Sequence, residues 1–204
     1  MKTIMSSVFI FLAVNLLAGE GLKVGDKAGD FKLKNVDGKL VSLADFKSAK
    51  GFVVVFTCNE CPYAKAYQDR LISLDKEYKA KGFPVIAINP NDPSIEPADS
   101  YDAMVTRSKE KGYTFPYLYD EKNQVFRQYG ATRTPHIFVL KKNGQGEMIV
   151  KYIGAVDDNH QDASAVKQPY LENALNALLN NKEPEPNFTK AVGCSVKSKP
   201  AQQM

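Results

Sequence analysis

The residues best suited to chemistry in this chain are Cys58 and Cys61, set in Thr57-Cys58-Asn59-Glu60-Cys61-Pro62. An apolar run precedes the motif and an amphipathic pattern follows it from Pro62. Two thiols three positions apart, where a strand gives way to a helix, can close a small disulfide or open to two reactive thiols. A helix begun here leaves its first N–H groups unpaired and aimed at the motif, and its dipole favours a thiolate there. From chain order, Cys58 is expected to be the nucleophile and Cys61 to resolve the mixed disulfide formed on it. Glu60 acts the other way, since a neighbouring carboxylate raises a thiol pKa, so a moderately acidic Cys58 is expected. Glu60 is also a candidate for proton transfer. Half a zinc site is a competing reading, but zinc usually wants a second Cys pair or a His pair, and the chain has three Cys and two His. A purely structural bridge would gain little from closing so short a loop.

The elements that must hold this motif are legible as patterns. Residues 51–56 form a continuous apolar run, expected of a central strand covered on both faces. From Pro62, the positions Ala64, Tyr67, Leu71, Leu74 and Tyr78 mark one helical face that closes near Gly82. Pro62 suits a first turn, where its missing N–H has no partner to lose. Residues 84–89 predict a second buried strand, and residues 99–111 a helix stopped by Gly112. Strand, helix and strand in that order imply a parallel crossover. A weaker extended stretch at 115–119 precedes a short helix carrying Val125, Phe126 and Tyr129, capped by Asp120 and stopped by Gly130. Residues 136–140 and 148–153 predict strands joined through Asn143-Gly144-Gln145-Gly146, and residues 163–179 a last helix. Near the N-terminus, residues 31–34 and 39–43 flank Asp37-Gly38, a hairpin signal.

At 204 residues with 44% hydrophobic content, the chain is expected to form one domain around one core. A net charge of +4 spread over scattered lysines gives no argument for nucleic acid. Residues 1–19 have the pattern of a signal peptide: Lys2, a nearly apolar stretch over residues 4–18, and Leu17-Ala18-Gly19 for cleavage. The stretch is short for a membrane span, so a membrane is involved only if this segment stays uncleaved. A periplasmic or secreted location follows as an expectation, and there a CxxC pair either makes disulfides or is kept reduced by a partner. After Asn181 the composition shifts to a Pro-rich polar linker. Residues 182–204 are then expected to be a flexible tail carrying Cys194, attached to a domain over residues 20–181.

The order of elements, the CxxC motif and Thr134-Pro135 just before the late strand pair resemble the thioredoxin-like superfamily. The likeness is to its branch with an extra N-terminal hairpin, shared by alkyl hydroperoxide reductases, the AhpC/TSA group, and periplasmic thiol-disulfide oxidoreductases. Together with Gly193-Cys194-Ser195-Val196-Lys197, the motif is most similar to peroxiredoxin-like thioredoxin family proteins. The resemblance implies an α/β fold: a three-layer α/β/α sandwich with a central mixed sheet and the added hairpin. It further implies that Pro135 is a cis-proline facing the CxxC, with Thr134 turned to pair with an extended substrate. The sequence also departs from these relatives. Thr57 stands where thioredoxins have Trp, the 51–56 run lacks their buried carboxylate, and the Thr and Pro that precede a peroxidatic cysteine are not at peroxiredoxin spacing.

From the residues and the resemblance together, the expected function is exported thiol-disulfide exchange. Cys58 attacks, Cys61 resolves, and Thr57, Thr134 and Pro135 bind substrate. No cofactor or metal is called for, because electrons come from a dithiol protein; the partners are a disulfide or dithiol protein substrate and a redox partner protein. A thiol peroxidase resolved by Cys194, whose tail is long enough to reach the motif, is the alternative. A non-catalytic module binding a partner or copper(I) through Cys58, Cys61 and His136 is a third reading. His136, next to Pro135, is the other candidate for proton transfer.

Overall fold

In the computed structural model, residues 21–200 are described; the segment expected to be a signal peptide lies outside them. The chain runs β1 (Lys27–Ala28), β2 (Lys32–Asn35), β3 (Leu40–Ser42), β4 (Gly51–Phe56), α1 (Pro62–Lys79), β5 (Val85–Asn89) and α2 (Tyr101–Lys111). It continues with β6 (Tyr117–Tyr119), α3 (Val125–Tyr129), β7 (Arg133–Thr134), β8 (His136–Lys142), β9 (Met148–Gly154), α4 (Tyr170–Leu179) and β10 (Cys194–Ser195). Eight strands form one mixed sheet in the order β1, β9, β8, β4, β5, β6, β2, β3. β4, β5 and β6 are parallel, while β8 runs antiparallel to β4.

Alternation explains the layers. Val53 and Val55 of β4, Val85 and Ala87 of β5, and Ile137 and Val139 of β8 face one core, shared with Leu71, Leu74 and Tyr78 of α1 and Leu171, Leu175 and Leu178 of α4. Phe52, Val54, Phe56, Ile86, Ile88, Phe138 and Leu140 face a second core closed by Val125, Phe126 and Tyr129 of α3 and by Phe31. A strand covered on both sides needs apolar residues at every position, which is why β4 and β5 are unbroken apolar runs. The expected hairpin is β2–β3, turned at Gly38 with φ +85°. α2 begins at Ser100, whose hydroxyl accepts from the Ala103 N–H, and ends at Gly112 with φ +62°.

Two expectations need correction. The last helix is not continuous from residue 163: a single 3-10 turn spans Ala163–Ala165 and α4 starts only at Tyr170. Pro169 is the cause, because a proline disfavours helical backbone at the residue before it. The segment expected to be a flexible tail lies bound along the domain. Ile153 donates its N–H to Asn187 O and accepts from the Thr189 N–H, Gly154 leaves room for Thr189, and Val196, Lys197 and Lys199 reach Thr132, Asn91 and Asp92. Its scarcity of apolar groups excludes a core of its own but not docking through backbone groups.

Asp120 caps α3 from a buried position, accepting from the N–H groups of Gln124 (3.1 Å) and Phe126 (2.9 Å). Burial raises its pKa, against those hydrogen bonds. Asp120→Ala leaves these donors unpaired and is expected to cost about 2–3 kcal/mol. Urea unfolding checks it, and a loss under about 1 kcal/mol would contradict this role.

Candidate active site

β4, between β8 and β5 in the sheet, delivers the motif at its C-terminal end, and Thr57 continues the strand by donating its backbone N–H to Ile88 O at 2.9 Å. The next turn is fixed by Asn59. Its backbone N–H is bound to Asp99 Oδ1 at 2.6 Å, and its amide to Ala98 O and the Tyr117 hydroxyl. α1 then starts at Pro62, with Cys61 as its N-cap residue. The positive helix end therefore falls on Cys61 rather than on Cys58, which lies a turn earlier.

Both sulfurs contact one residue across the site. The Cys58 thiol and the Thr134 hydroxyl are 3.3 Å apart, and the Cys61 thiol donates to Thr134 O at 3.0 Å. The Thr134–Pro135 peptide is cis, as the resemblance implies. A third thiol joins them: β10 pairs antiparallel with β7, placing Cys194 opposite Thr134, and the Cys194 N–H donates to Cys61 Sγ at 3.4 Å. All three cysteines are free. Cys58 and Cys61 are buried at 3% and 4% exposure, with Tyr63 and Cys194 packed against them. With Ala64 they form a small cluster of their own, separate from the two cores, at the C-terminal end of β4.

The electrostatics separate the two thiols. Cys61 is pulled down to about 4, first by the S–H of Cys58; burial opposes this, and the Cys194 thiol and the N–H groups of Ala64 and Cys194 assist it. Cys58 is pushed up, by the proton it shares with Cys61, by burial and by the charge of Asp99. When both thiols are protonated, Cys61 donates to Thr134 O; once it ionises, its several donors outweigh that single carbonyl. This differs from the expectation of a moderately acidic Cys58, because with α1 starting at Pro62 the N-cap position belongs to Cys61 and Cys58 lies a turn before it. Cys194 is pushed up to about 11, by burial and by its hydrogen bond to Cys61.

The other candidate residues stand apart. Glu60 is exposed and turned to Lys65 (2.8 Å) and Arg107 (3.6 Å). His136 sits across from Phe56 in the β4–β8 register, 4.8 Å from the Phe138 ring, on the sheet face opposite α1. Its Nδ1 accepts from the Thr132 N–H, and burial lowers its pKa to about 4, which keeps the ring neutral at pH 7. It lines a cavity of 680 Å³ with Tyr129, Ile153 and Phe188. Among the described residues, neither Glu60 nor His136 hydrogen-bonds to a sulfur, and no group of three or more His, Cys, Asp or Glu is placed to hold a metal.

Asp99 is the residue that sequence reasoning missed. It is fully buried, its carboxylate also accepts from Asn91 Nδ2 at 2.6 Å, and burial raises its pKa. A carboxylate placed just ahead of α2 resembles an ordinary helix-start residue, and only the fold brings it to the motif.

The chain is similar to known proteins in sequence and in fold. The model of the AhpC/TSA family matches residues 24–149. The thiol-disulfide oxidoreductase ResA of Geobacillus thermodenitrificans (strain NG80-2) is 28% identical over 148 residues, covering 71% of this chain and 78% of the relative. A crystal structure of an uncharacterized conserved protein from Geobacillus kaustophilus is similar with a TM-score of 0.80 and 36% identity, over 88% of this chain and 94% of the other. The thioredoxin domain of a thiol-disulfide oxidoreductase from Bacteroides vulgatus shares the fold, with a TM-score of 0.52 and 20% identity over 64% of this chain and 88% of the other.

Proposed function

The chain belongs to the AhpC/TSA family, a thioredoxin-like oxidoreductase lineage, and from that premise we propose that Cys58 and Cys61 are the redox couple of an exported thiol-disulfide oxidoreductase. The observation that carries this is the convergence of both sulfurs on Thr134, with Cys61 at the mouth of α1. The roles we assign reverse those expected from chain order. The Cys61 thiolate attacks one sulfur of a substrate disulfide, forming a Cys61–substrate disulfide and releasing a substrate thiolate. That thiolate takes the proton of Cys58, which then attacks Cys61 Sγ. The Cys58–Cys61 disulfide forms and the second substrate thiol leaves. One dithiol has become a disulfide and one substrate disulfide two thiols; the reverse sequence oxidises a substrate dithiol. A protein partner restores the starting state. Export rests on the pattern of residues 1–19; among the described residues no helix is long and apolar enough to cross a membrane.

Thr134 and Pro135 line the substrate side of the couple, and Thr57 anchors the motif to β5 through its backbone. Insulin reduction with dithiothreitol as electron source tests the couple. Serine at position 58 is expected to trap a Cys61–insulin mixed disulfide that gel electrophoresis detects. Full turnover by Cys58→Ser would remove the assigned resolving role.

A second reading, thiol peroxidase, is favoured by the Cys194 N–H on Cys61 Sγ. There the Cys61 thiolate attacks a hydroperoxide, becomes a sulfenic acid and releases an alcohol; Cys194 then displaces water to give a Cys61–Cys194 disulfide. Peroxide consumption that disappears in Cys194→Ser while insulin reduction persists would select it. Copper(I) binding through His136 has no support, since its ring lies across the sheet from α1.

A further inference from the structure

The strand β10 occupies the place where an extended substrate would pair with Thr134. Its backbone follows β7 antiparallel, with Cys194 opposite Thr134 and Ser195 opposite Arg133. The Val196 N–H donates to Thr132 O at 3.3 Å, and Arg133 Nη1 donates to Gly193 O at 3.4 Å. Farther along, the Lys197 N–H donates to Asn91 Oδ1 at 2.9 Å and Lys197 O accepts from the Asp92 N–H at 2.7 Å. The β10–β7 pairing and the Val196–Thr132 and Asp92–Lys197 bonds are main-chain contacts of the kind by which a peptide adds a strand to an exposed edge, and the Arg133 and Asn91 side chains hold the same segment.

The fit is selective at one position. A Cβ on Gly193 would stand 2.2 Å from Thr134 O and 3.1 Å from Pro135 N, so only glycine lets the backbone approach this closely. The next residue, Cys194, is the one whose N–H meets Cys61 Sγ. We propose that β7 is a strand-addition site selective for an extended Gly-Cys segment, and that the chain's own tail is its resident ligand, shielding the Cys58–Cys61 couple until a partner strand of the same kind displaces it. The partner is a protein that presents a cysteine after a glycine in extended backbone. The shielding accounts for two reactive thiols being almost wholly covered at the C-terminal end of β4, since Cys194 packs against their cluster. The tail also resembles a bound substrate in its redox chemistry, with a cysteine placed at the sulfur that would attack.

The inference rests on the Cys58–Cys61 couple being the reactive centre, and the two can fail separately: shielding is measured by alkylation, the couple by insulin reduction. The test compares the iodoacetamide alkylation rate of Cys61, followed by peptide mass spectrometry, in the full chain, in Gly193→Val and in a chain ended after Val192. Alkylation at least tenfold faster in both variants is expected. A synthetic peptide of residues 190–199 with Cys194→Ser, added to the shortened chain, is expected to restore slow alkylation, and the same peptide with Gly193→Val to have no effect. Circular dichroism of both variants verifies the fold. Equal rates in all three proteins overturn the proposal, as does fast alkylation that the first peptide does not slow. Equal protection by both peptides overturns the glycine selectivity.

Discussion

Serine in place of Cys61 lowers insulin reduction by roughly 10³-fold or more, the scale on which loss of an attacking group acts in covalent catalysis. The same replacement is expected to remove a thiolate that the neighbours of Cys61 hold well below the ordinary thiol range. Titration of the reduced protein by ultraviolet thiolate absorbance measures this directly. The wild type holds one thiolate equivalent from neutral pH down to about 4, and Cys61→Ser holds none below about pH 8. If the low-pH thiolate survives in Cys61→Ser and vanishes in Cys58→Ser, the charge sits on Cys58 and the attack order reverts to the one expected from sequence.

The same shift has a consequence for folding. An unfolded cysteine titrates at about 8.5, and in the folded, reduced protein the Cys58 S–H and nearby N–H groups pull Cys61 down to about 4. Between these values the unfolded chain binds more protons at this site, so stability rises with pH. The contribution is complete above the unfolded value and is lost as pH falls through the folded one. Cys58 and Cys194 shift upward, so they oppose stability once unfolded thiols begin to ionise. Reduced wild type is therefore expected to gain urea resistance over Cys61→Ser steadily from pH 4 to 8, and both proteins to weaken above about pH 9. A stability difference independent of pH would contradict the Cys61 shift.

Local patterns in the sequence located most of the scaffold, because the strands that carry the site are buried on both faces. β4, β5 and β8 have no polar alternation to confuse with a helix, and α1 repeats its apolar residues through five turns up to Tyr78. The spacing of Cys58 and Cys61 pointed to redox chemistry. The charge on each thiol was less legible, since the start of α1 at Pro62 could be read from the pattern but not which of the two sulfurs its unpaired N–H groups reach. Thr57 and Glu60 were marked by nearness in sequence, yet Glu60 turns outward to Lys65 and Arg107. His136 follows Pro135 directly, but strand alternation sends its ring to the face of Phe56 and Phe138. The docked tail was beyond reach for a different reason. Its binding depends on backbone hydrogen bonds and two glycine contacts, which leave no hydrophobic pattern.

Asp99→Ala is expected to be the most disruptive single change away from the sulfurs, with a loss of about 2–5 kcal/mol. It removes the acceptor of two buried donors, the Asn59 N–H and Asn91 Nδ2, each at 2.6 Å. A buried donor left unpaired costs its full desolvation penalty, and bonds to a charged acceptor are the stronger kind. The damage also spreads along the site. Asn59 holds the turn between the cysteines, and Asn91 holds the tail through the Lys197 N–H. Asp99→Asn separates charge from geometry. One amide oxygen can still accept from Asn59, but an amide nitrogen would face the Asn91 amide, so Asn91 must turn over and release Lys197. Without the Asp99 charge, Cys58 loses one of the effects that keep it protonated. Asp99→Asn is therefore expected to lower the Cys58 pKa, so that Cys58 of the reduced protein is alkylated faster above about pH 8 than in the wild type. Unchanged alkylation together with an unchanged urea midpoint would show that Asp99 positions nothing the couple depends on.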